Sequence, residues 1–365
     1  MNTFNPIWLV LDSRGNGGIE SHVLELAKAL AKRQFSVSVV LLTDYGPHPM
    51  RDALHRENIH TKILDGRLQS LLACIRSARP RVIHSHGYKA GLYCCLAAKL
   101  TCSFHCSTHH AGEIAPGKVG VYDWLHRQSS RLNDANFSVS EQIARRVPAS
   151  SRVLDNFVSI PPRAASQGRR IAFVGRLSHE KGPDLLLELA ARLESEAFHI
   201  YGDGALAGEL KAQAPPNCVF HGNQHSMEPH WRHIDLLLMP SRFEGLPMVA
   251  LEAMARGIPV IAFDVGALGR VICSGENGWL VPPGQLPVFK ARIEAWLAMN
   301  PAQQQRIRER ARRHIENHFS AEQLLPQLLE QYAIGSGRIS QTALQTAKTA
   351  PERSLARSGN FSETH

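Results

Sequence analysis

The chain has 365 residues, 44% of them hydrophobic, with 41 Lys and Arg against 32 Asp and Glu for a formal charge of +9. That is enough chain for two globular domains, and it excludes a wholly disordered protein. No apolar run approaches the ~18–20 residues of a membrane span, residues 1–10 lack the basic start and cleavage site of a signal peptide, and seven scattered cysteines do not form a disulfide framework, so the expected location is the cytoplasm.

Apolar runs that read as strands fall at residues 7–11, 37–42, 81–84, 104–108, 135–139 and 152–154. Between them, helical periodicity predicts helices over 19–32, 68–78, 88–100, 122–132 and 141–147. Such alternation predicts a parallel sheet with crossover helices. Residues 159–168 are rich in Pro, Ser, Ala and Gly and read as a linker. The pattern then restarts, with strands expected at 170–174, 198–201, 219–221, 235–239 and 259–262 and helices at 184–193, 206–212, 248–255 and 288–299. Closing helices follow over 302–332, and 334–365 reads as a disordered tail.

The expected fold is therefore α/β: two doubly wound, Rossmann-like parallel-sheet domains, 1–163 and 164–333, joined once and facing a central cleft. Ligands of such sheets bind outside the carboxyl ends of the strands. Residues 1–165 hold 20 Lys and Arg and 12 Asp and Glu, a net +8, whereas the remainder holds 21 and 20, a net +1. This bias suits an acidic substrate or an anionic membrane surface, met through Lys118, Arg127, Arg131, Arg145 and Arg146. Nucleic acid is not expected, since the chain shows no zinc-finger spacing, basic helix or aromatic RNA-binding signature.

Three segments carry phosphate and sugar chemistry. Strand 7–11 runs into Asp12-Ser13-Arg14-Gly15-Asn16-Gly17-Gly18, where Gly17 and Gly18 allow a phosphate to approach a helix start. The spacing matches neither G-x-G-x-x-G nor a P-loop. The second domain opens with Gly175-Arg176-Leu177-Ser178-His179-Glu180-Lys181-Gly182, whose fork and point charge suit a diphosphate. Phe243-Glu244-Gly245-Leu246-Pro247-Met248 then leads into a helix that carries Glu252. Its first N–H groups are free to bind an anion, with one carboxylate at its mouth and another along it. A ligand with hydroxyls at both ends and phosphates in the middle, a nucleotide sugar, fits. The chain has no Asp-x-Asp triplet, so no metal is expected to hold the diphosphate. A zinc site among Cys94, Cys95, Cys102, Cys106 and nearby histidines lacks a paired partner motif, and reduced thiols explain it more simply.

This ordered set resembles the GT-B glycosyltransferases, in particular the large retaining family that includes bacterial cell-envelope and sucrose-type enzymes. The resemblance spans roughly residues 6–320, through Ala253-Met254-Ala255-Arg256-Gly257-Ile258-Pro259-Val260 and Asn277-Gly278-Trp279-Leu280-Val281-Pro282-Pro283-Gly284. It implies that Arg176, Lys181 and the Gly17-Gly18 backbone bind the diphosphate. Glu244 with Gly245, Leu246 and Pro247 would bind the donor sugar, and Glu252 the ribose. His109, after strand 104–108, would be the active-site histidine, with His84, His86 and His110 near it. The catalytic set implied is His109, Glu244, Arg176 and Lys181, without cofactor. Two segments depart from the family: Asn156-Phe157-Val158-Ser159 stands for Asn-Gly-Val-Asp, and Gly266-Ala267-Leu268-Gly269-Arg270 lacks Pro-Glu. The implied reaction is hexose transfer, with retention, to a cell-envelope glycan or lipid-linked acceptor at the cytoplasmic face of the inner membrane. The alternatives are a nucleotide-sugar epimerase, a phosphorylase or a non-catalytic binding subunit.

Overall fold

A computed structural model describes residues 6–15, 17–110, 117–163 and 168–336. The first half runs β1 (Ile7–Leu11), α1 (Gly18–Lys32), β2 (Val37–Leu41), α2 (Pro49–Arg56), β3 (His60–Ile63), α3 (Leu68–Ala78), β4 (Val82–His86), α4 (Tyr88–Thr101), β5 (His105–His109), α5 (Gly117–Ser129), β6 (Ala135–Ser138), α6 (Glu141–Ala144) and β7 (Arg152–Val153). The second runs β8 (Arg170–Val174), α7 (Pro183–Ala191), β9 (Phe198–Tyr201), α8 (Ala207–Gln213), β10 (Cys218–Gly222), α9 (Glu228–Trp231), β11 (Ile234–Met239), α10 (Met248–Ala255), β12 (Val260–Phe263), α11 (Leu268–Val271), β13 (Gly278–Val281) and α12 (Leu286–Leu297). Helices α13 (Pro301–His318) and α14 (Ala321–Ser336) end it.

The strands form two parallel sheets, ordered β3-β2-β1-β4-β5-β6-β7 and β10-β9-β8-β11-β12-β13. Both are covered on both faces, which is why β1 and β12 are apolar throughout, whereas β4 and β5 carry buried histidine, serine and threonine side chains. In β1, Ile7, Leu9 and Leu11 join the layer that holds Val23, Leu26 and Leu30 of α1. Trp8 and Val10 join the opposite layer with Ile75 and Cys94. The second sheet divides likewise: Leu237 and Met239 face α10, and Leu236 and Leu238 face α7 and α12. Strand order reverses between β1 and β4 in one sheet and between β8 and β11 in the other. These are the two places where the strand ends leave a crevice for a ligand.

Two elements that the sequence pattern misses are edge strands. β3 reads His-Thr-Lys-Ile and is half exposed, so it shows no apolar run. β13 begins at Gly278, pressed against Val260 of its neighbour.

The lobes are joined twice, not once. After β7 the chain passes out through Val158, and it returns beside itself after α13. The Val158 N–H donates to Phe319 O at 3.0 Å, and the Ala321 N–H to Val158 O at 3.2 Å. α14, expected to close the second domain, packs on the first through Leu324, Leu325, Leu328, Leu329 and Tyr332. Its apolar stripe fills the groove beside α1, so the boundary at residue 163 marks only the outward crossing. The expected tail beyond Ser336 lies outside the described residues. All seven cysteines are free thiols, with Cys94, Cys95 and Cys106 buried as expected and Cys102 exposed. Among the described residues no helix is long and apolar enough to cross a membrane.

Candidate functional site

The ends of β8 and β11 bring Lys181 and Glu244 together. Lys181 Nζ lies 2.8 and 2.7 Å from the two carboxylate oxygens of Glu244. The Glu244 side chain is 3% exposed and that of Lys181 28%. A buried carboxylate in this position needs its cation. Two turns are stitched together to make the pair. The Arg242 and Phe243 N–H groups donate to Glu180 O, at 2.8 and 3.3 Å. The Arg242 guanidinium forks onto Asp184 at 2.8 and 2.6 Å and also reaches His179 O at 2.9 Å. That fork holds the Asp184 carboxyl below its ordinary range and raises Arg242. Gly182, at φ 65°, lets the Lys181 turn sit against β11, because a Cβ there would fall 2.1 Å from Pro240 O.

Arg176 follows β8 on the same edge but does not join Glu244. It is largely exposed, with its guanidinium 3.6 Å from Glu180. Glu180 is itself held by the Ser178 hydroxyl at 2.5 Å. The sequence brought both cations to one point; the structure gives each a separate carboxylate.

Gly245, Leu246 and Pro247 form the mouth of α10, and they touch the first lobe. The Leu246 carbonyl accepts from Asn156 Nδ2 at 2.6 Å. A Cβ at Gly245 would lie 3.7 Å from His110 O and 3.7 Å from Val139. Pro247 is the N-cap of α10, and no side chain caps that end. Glu252 faces α1 across the cleft, in the field of Glu25, Lys28 and Ser21. Burial pushes its carboxyl up to about 7, with Arg256 opposing the shift.

On the first-lobe side, Gly17 caps α1 with an extended backbone and without a side-chain cap. Space beside Gly18 is open: a Cβ there meets nothing within 4 Å. Ser13 holds the preceding turn by hydrogen bonds to Glu20 and, at 2.9 Å, to His48 Nε2. Uncapped helix N-termini therefore stand on both walls, each suited to an anion.

The histidines divide by strand alternation. His109 points to the α5 side of its sheet, stacks on His126 at 4.4 Å and is buried. Burial lowers it to about 4, and its carbonyl already accepts from the Val139 N–H at 3.3 Å. His110 points the other way, with its Nε2 3.1 Å from His86 Nδ1 and its ring 5.0 Å from that of His22. Nitrogens of His22, His86 and His110 lie within 4.8 Å of one another. Burial holds His86 and His110 well below the usual histidine range and His22 near 4, so burial disfavours the charged form of all three. His84 is a core group, bonded to Tyr332 and Thr108 at 2.7 Å each. It is thus His110, not His109, whose backbone abuts the Glu244 loop.

Both segments that depart from the family pattern meet here. Asp155, just before Asn156, forks onto Arg270 at 2.6 and 2.7 Å, which ties the outward crossing to α11. Gly266, at φ 61°, lets its loop pass under Glu244, since a Cβ would lie 2.1 Å from Glu244 O. Sequence reading did not identify Arg242, Asp184, Asn156 or Gly266 as parts of the site. The closeness of Arg242 to Glu244 in the chain offered one signal, and the segments of Asn156 and Gly266 that depart from the family pattern offered another.

Two facing parallel-sheet lobes, with an open glycine turn on one wall and a buried Lys–Glu pair on the other, have the GT-B architecture. Residues 168–299 match the family model for glycosyl transferases group 1, and residues 17–163 match the glycosyl transferase 4-like domain. The chain belongs to this group of glycosyltransferases. It is similar to the glycogen synthase of Mycobacterium tuberculosis, at 26% identity over 83% of this chain and 87% of that one. It is also similar to the lipopolysaccharide core biosynthesis mannosyltransferase LpcC of Rhizobium leguminosarum, at 26% over 54% and 63%. The Anabaena protein HepE, crystallised with UDP-glucose, superposes with a TM-score of 0.78 at 18% identity over 90% of this chain and 99% of that one, which shows the shared fold.

Proposed function

We propose that this glycosyltransferase moves a hexose from a nucleoside-diphosphate sugar to a hydroxyl of a cell-envelope glycan or lipid-linked acceptor, with retention and without a metal ion. The observation that carries this reading is the buried Lys181–Glu244 pair at the β8/β11 switch point. Each partner is the counter-ion that the other gives up when substrate arrives. Lys181 turns to the diphosphate, and Glu244, freed, accepts from the sugar hydroxyls. Arg176, exposed on the same edge, adds a second cation to the leaving phosphate. The N-termini of α1 and α10 add backbone donors from both lobes.

In this reading the departing phosphate oxygen takes the acceptor proton as the acceptor attacks from the same face. His110 and His86, whose charged forms burial disfavours, present ring nitrogens and carbonyls near the transferred sugar. Glu252 anchors the ribose. Acceptor and lipid are assigned to the first lobe, where the positive charge is concentrated. The name of the Rhizobium relative supports a lipopolysaccharide-type acceptor.

Donor choice is tested by thermal protection with UDP-, GDP-, ADP- and dTDP-sugars. Lys181→Ala should then lower turnover on the order of 100-fold or more, the loss of about 3 kcal/mol of leaving-group stabilisation, while donor affinity changes much less. Chelation should leave wild-type turnover intact. Equal turnover in variant and wild type, or no protection by any of the four donors, removes the assignment.

A further inference from the structure

We infer that α5, with the outer face of α4 beside it, is a docking surface for an anionic lipid bilayer. α5 is built inside out for a helix in water. It buries Asp123 and His126, at 5% and 2% exposure. It exposes Val121, Tyr122, Trp124 and Leu125, at 60%, 51%, 54% and 39%. The inward polar groups are in use: Asp123 pairs with Arg127 at 2.7 Å, and His126 bonds Ser107 at 2.9 Å while stacking on His109. A surface helix ordinarily turns its apolar stripe to the core. Four large apolar side chains turned outward on one helix call for an apolar medium outside it.

α4 extends the surface. Gly91 and Cys95 meet α5 through His126 and the Ser129 carbonyl. One position further round that helix, Leu96 and Leu100 are 49% and 55% exposed. A tyrosine and a tryptophan among these groups suit the interface between water and lipid, where an apolar ring keeps a polar edge wet. The charges decide the lipid. Lys99 on α4, which also pairs with Asp134 at 3.7 Å, and Arg131 just past α5 are exposed, and Arg146, also exposed, lies close enough to Asp123 to act on its carboxyl. Each basic group near an anionic surface adds about 1 kcal/mol. α5 packs through buried His126 on His109, at the end of β5, so docking would hold the first lobe's strand ends near the bilayer. The inference deepens the proposed function, and rests on its lipid-linked acceptor, by naming where that lipid is met.

Trp124 makes the test direct. The other four tryptophans, Trp8, Trp231, Trp279 and Trp296, are all buried, at 4% exposure or less. The exposed indole should therefore dominate any spectral response to vesicles. Phosphatidylcholine vesicles carrying phosphatidylglycerol should shift the emission to the blue and sediment the full chain, and pure phosphatidylcholine should do so far less. Trp124→Ser should weaken partitioning about tenfold, the loss of one large apolar group, with folding checked by circular dichroism. Arg131→Glu with Arg146→Glu should abolish the preference for the anionic lipid. Three results would overturn the inference: no blue shift with either vesicle, Trp124→Ser sedimenting like wild type, or Trp124 shielded in solution by a concentration-dependent dimer. Donor binding measured without vesicles tests the proposed function separately, so either can fail alone.

Discussion

At the residue scale the site is governed by what each carboxylate has for company. The Glu244 side chain is buried against Lys181, whereas Glu252 is half-buried facing α1 with another acid, Glu25, in its field. Burial raises the Glu252 carboxyl from 4.5 to about 7. Between those two values the folded chain keeps a proton that the unfolded chain has released, so Glu252 costs stability as pH rises through that window and none further above it. Glu252→Gln should flatten this part of the stability–pH profile, read as thermal midpoint against pH. If Glu252 receives ribose hydroxyls, the ionised form receives them better, so affinity for the free nucleoside diphosphate should rise up to about tenfold between pH 6 and 7 in the wild type. An identical rise in the glutamine variant would show that another group titrates.

Among the elements, the turns decide more than the strands. The Glu244 loop is fixed from one side by Arg242 on Asp184 and from another by the Gly266 turn beneath its carbonyl. At φ 61° an alanine is strained by about 1–2 kcal/mol before any contact is counted. The added methyl would then push Glu244 O upward. Gly266→Ala should lower the thermal midpoint by several degrees and cut transfer more sharply than an alanine at Gly18, where space is open. Equal losses at the two positions would contradict this account of the loop.

On the scale of the whole molecule, the angle between lobes is set where the chain crosses twice. The two crossings pair at Val158 and Ser320, and the Asp155–Arg270 fork and the Asn156–Leu246 bond lie beside them. Asp155 is buried and its carboxyl is raised by that burial, Arg270 opposing it, while Arg270 is half exposed. Solvent screens the pair, so its removal should cost less than a fully buried one, about 1–2 kcal/mol. Arg270→Ala should leave Asp155 unpaired, lower the thermal midpoint and weaken transfer. Asp155→Asn in that background should restore part of the midpoint, as double-mutant coupling requires. Additive losses would show that the two do not act together.

The sequence by itself determined the architecture and which charged residues stand at the strand ends that line the candidate site. Doubled alternation of apolar runs, each long enough to be buried on both faces, leaves few alternatives to paired parallel sheets, and Glu244, Lys181 and Arg176 sit at strand ends wherever those sheets close. Edge strand β3 was invisible because it carries His, Thr and Lys and buries none of its four side chains fully. Only the tertiary structure decided the second crossing, the return of α14 to the first lobe, the separation of Arg176 from Glu244, and the placement of His110 rather than His109 against the Glu244 loop. These depend on which side of a sheet a residue faces and on contacts between segments up to 290 residues apart, such as Lys32 with Glu322. A one-residue step along a strand reverses its face, and no local pattern in a run of two histidines says which one the cleft receives.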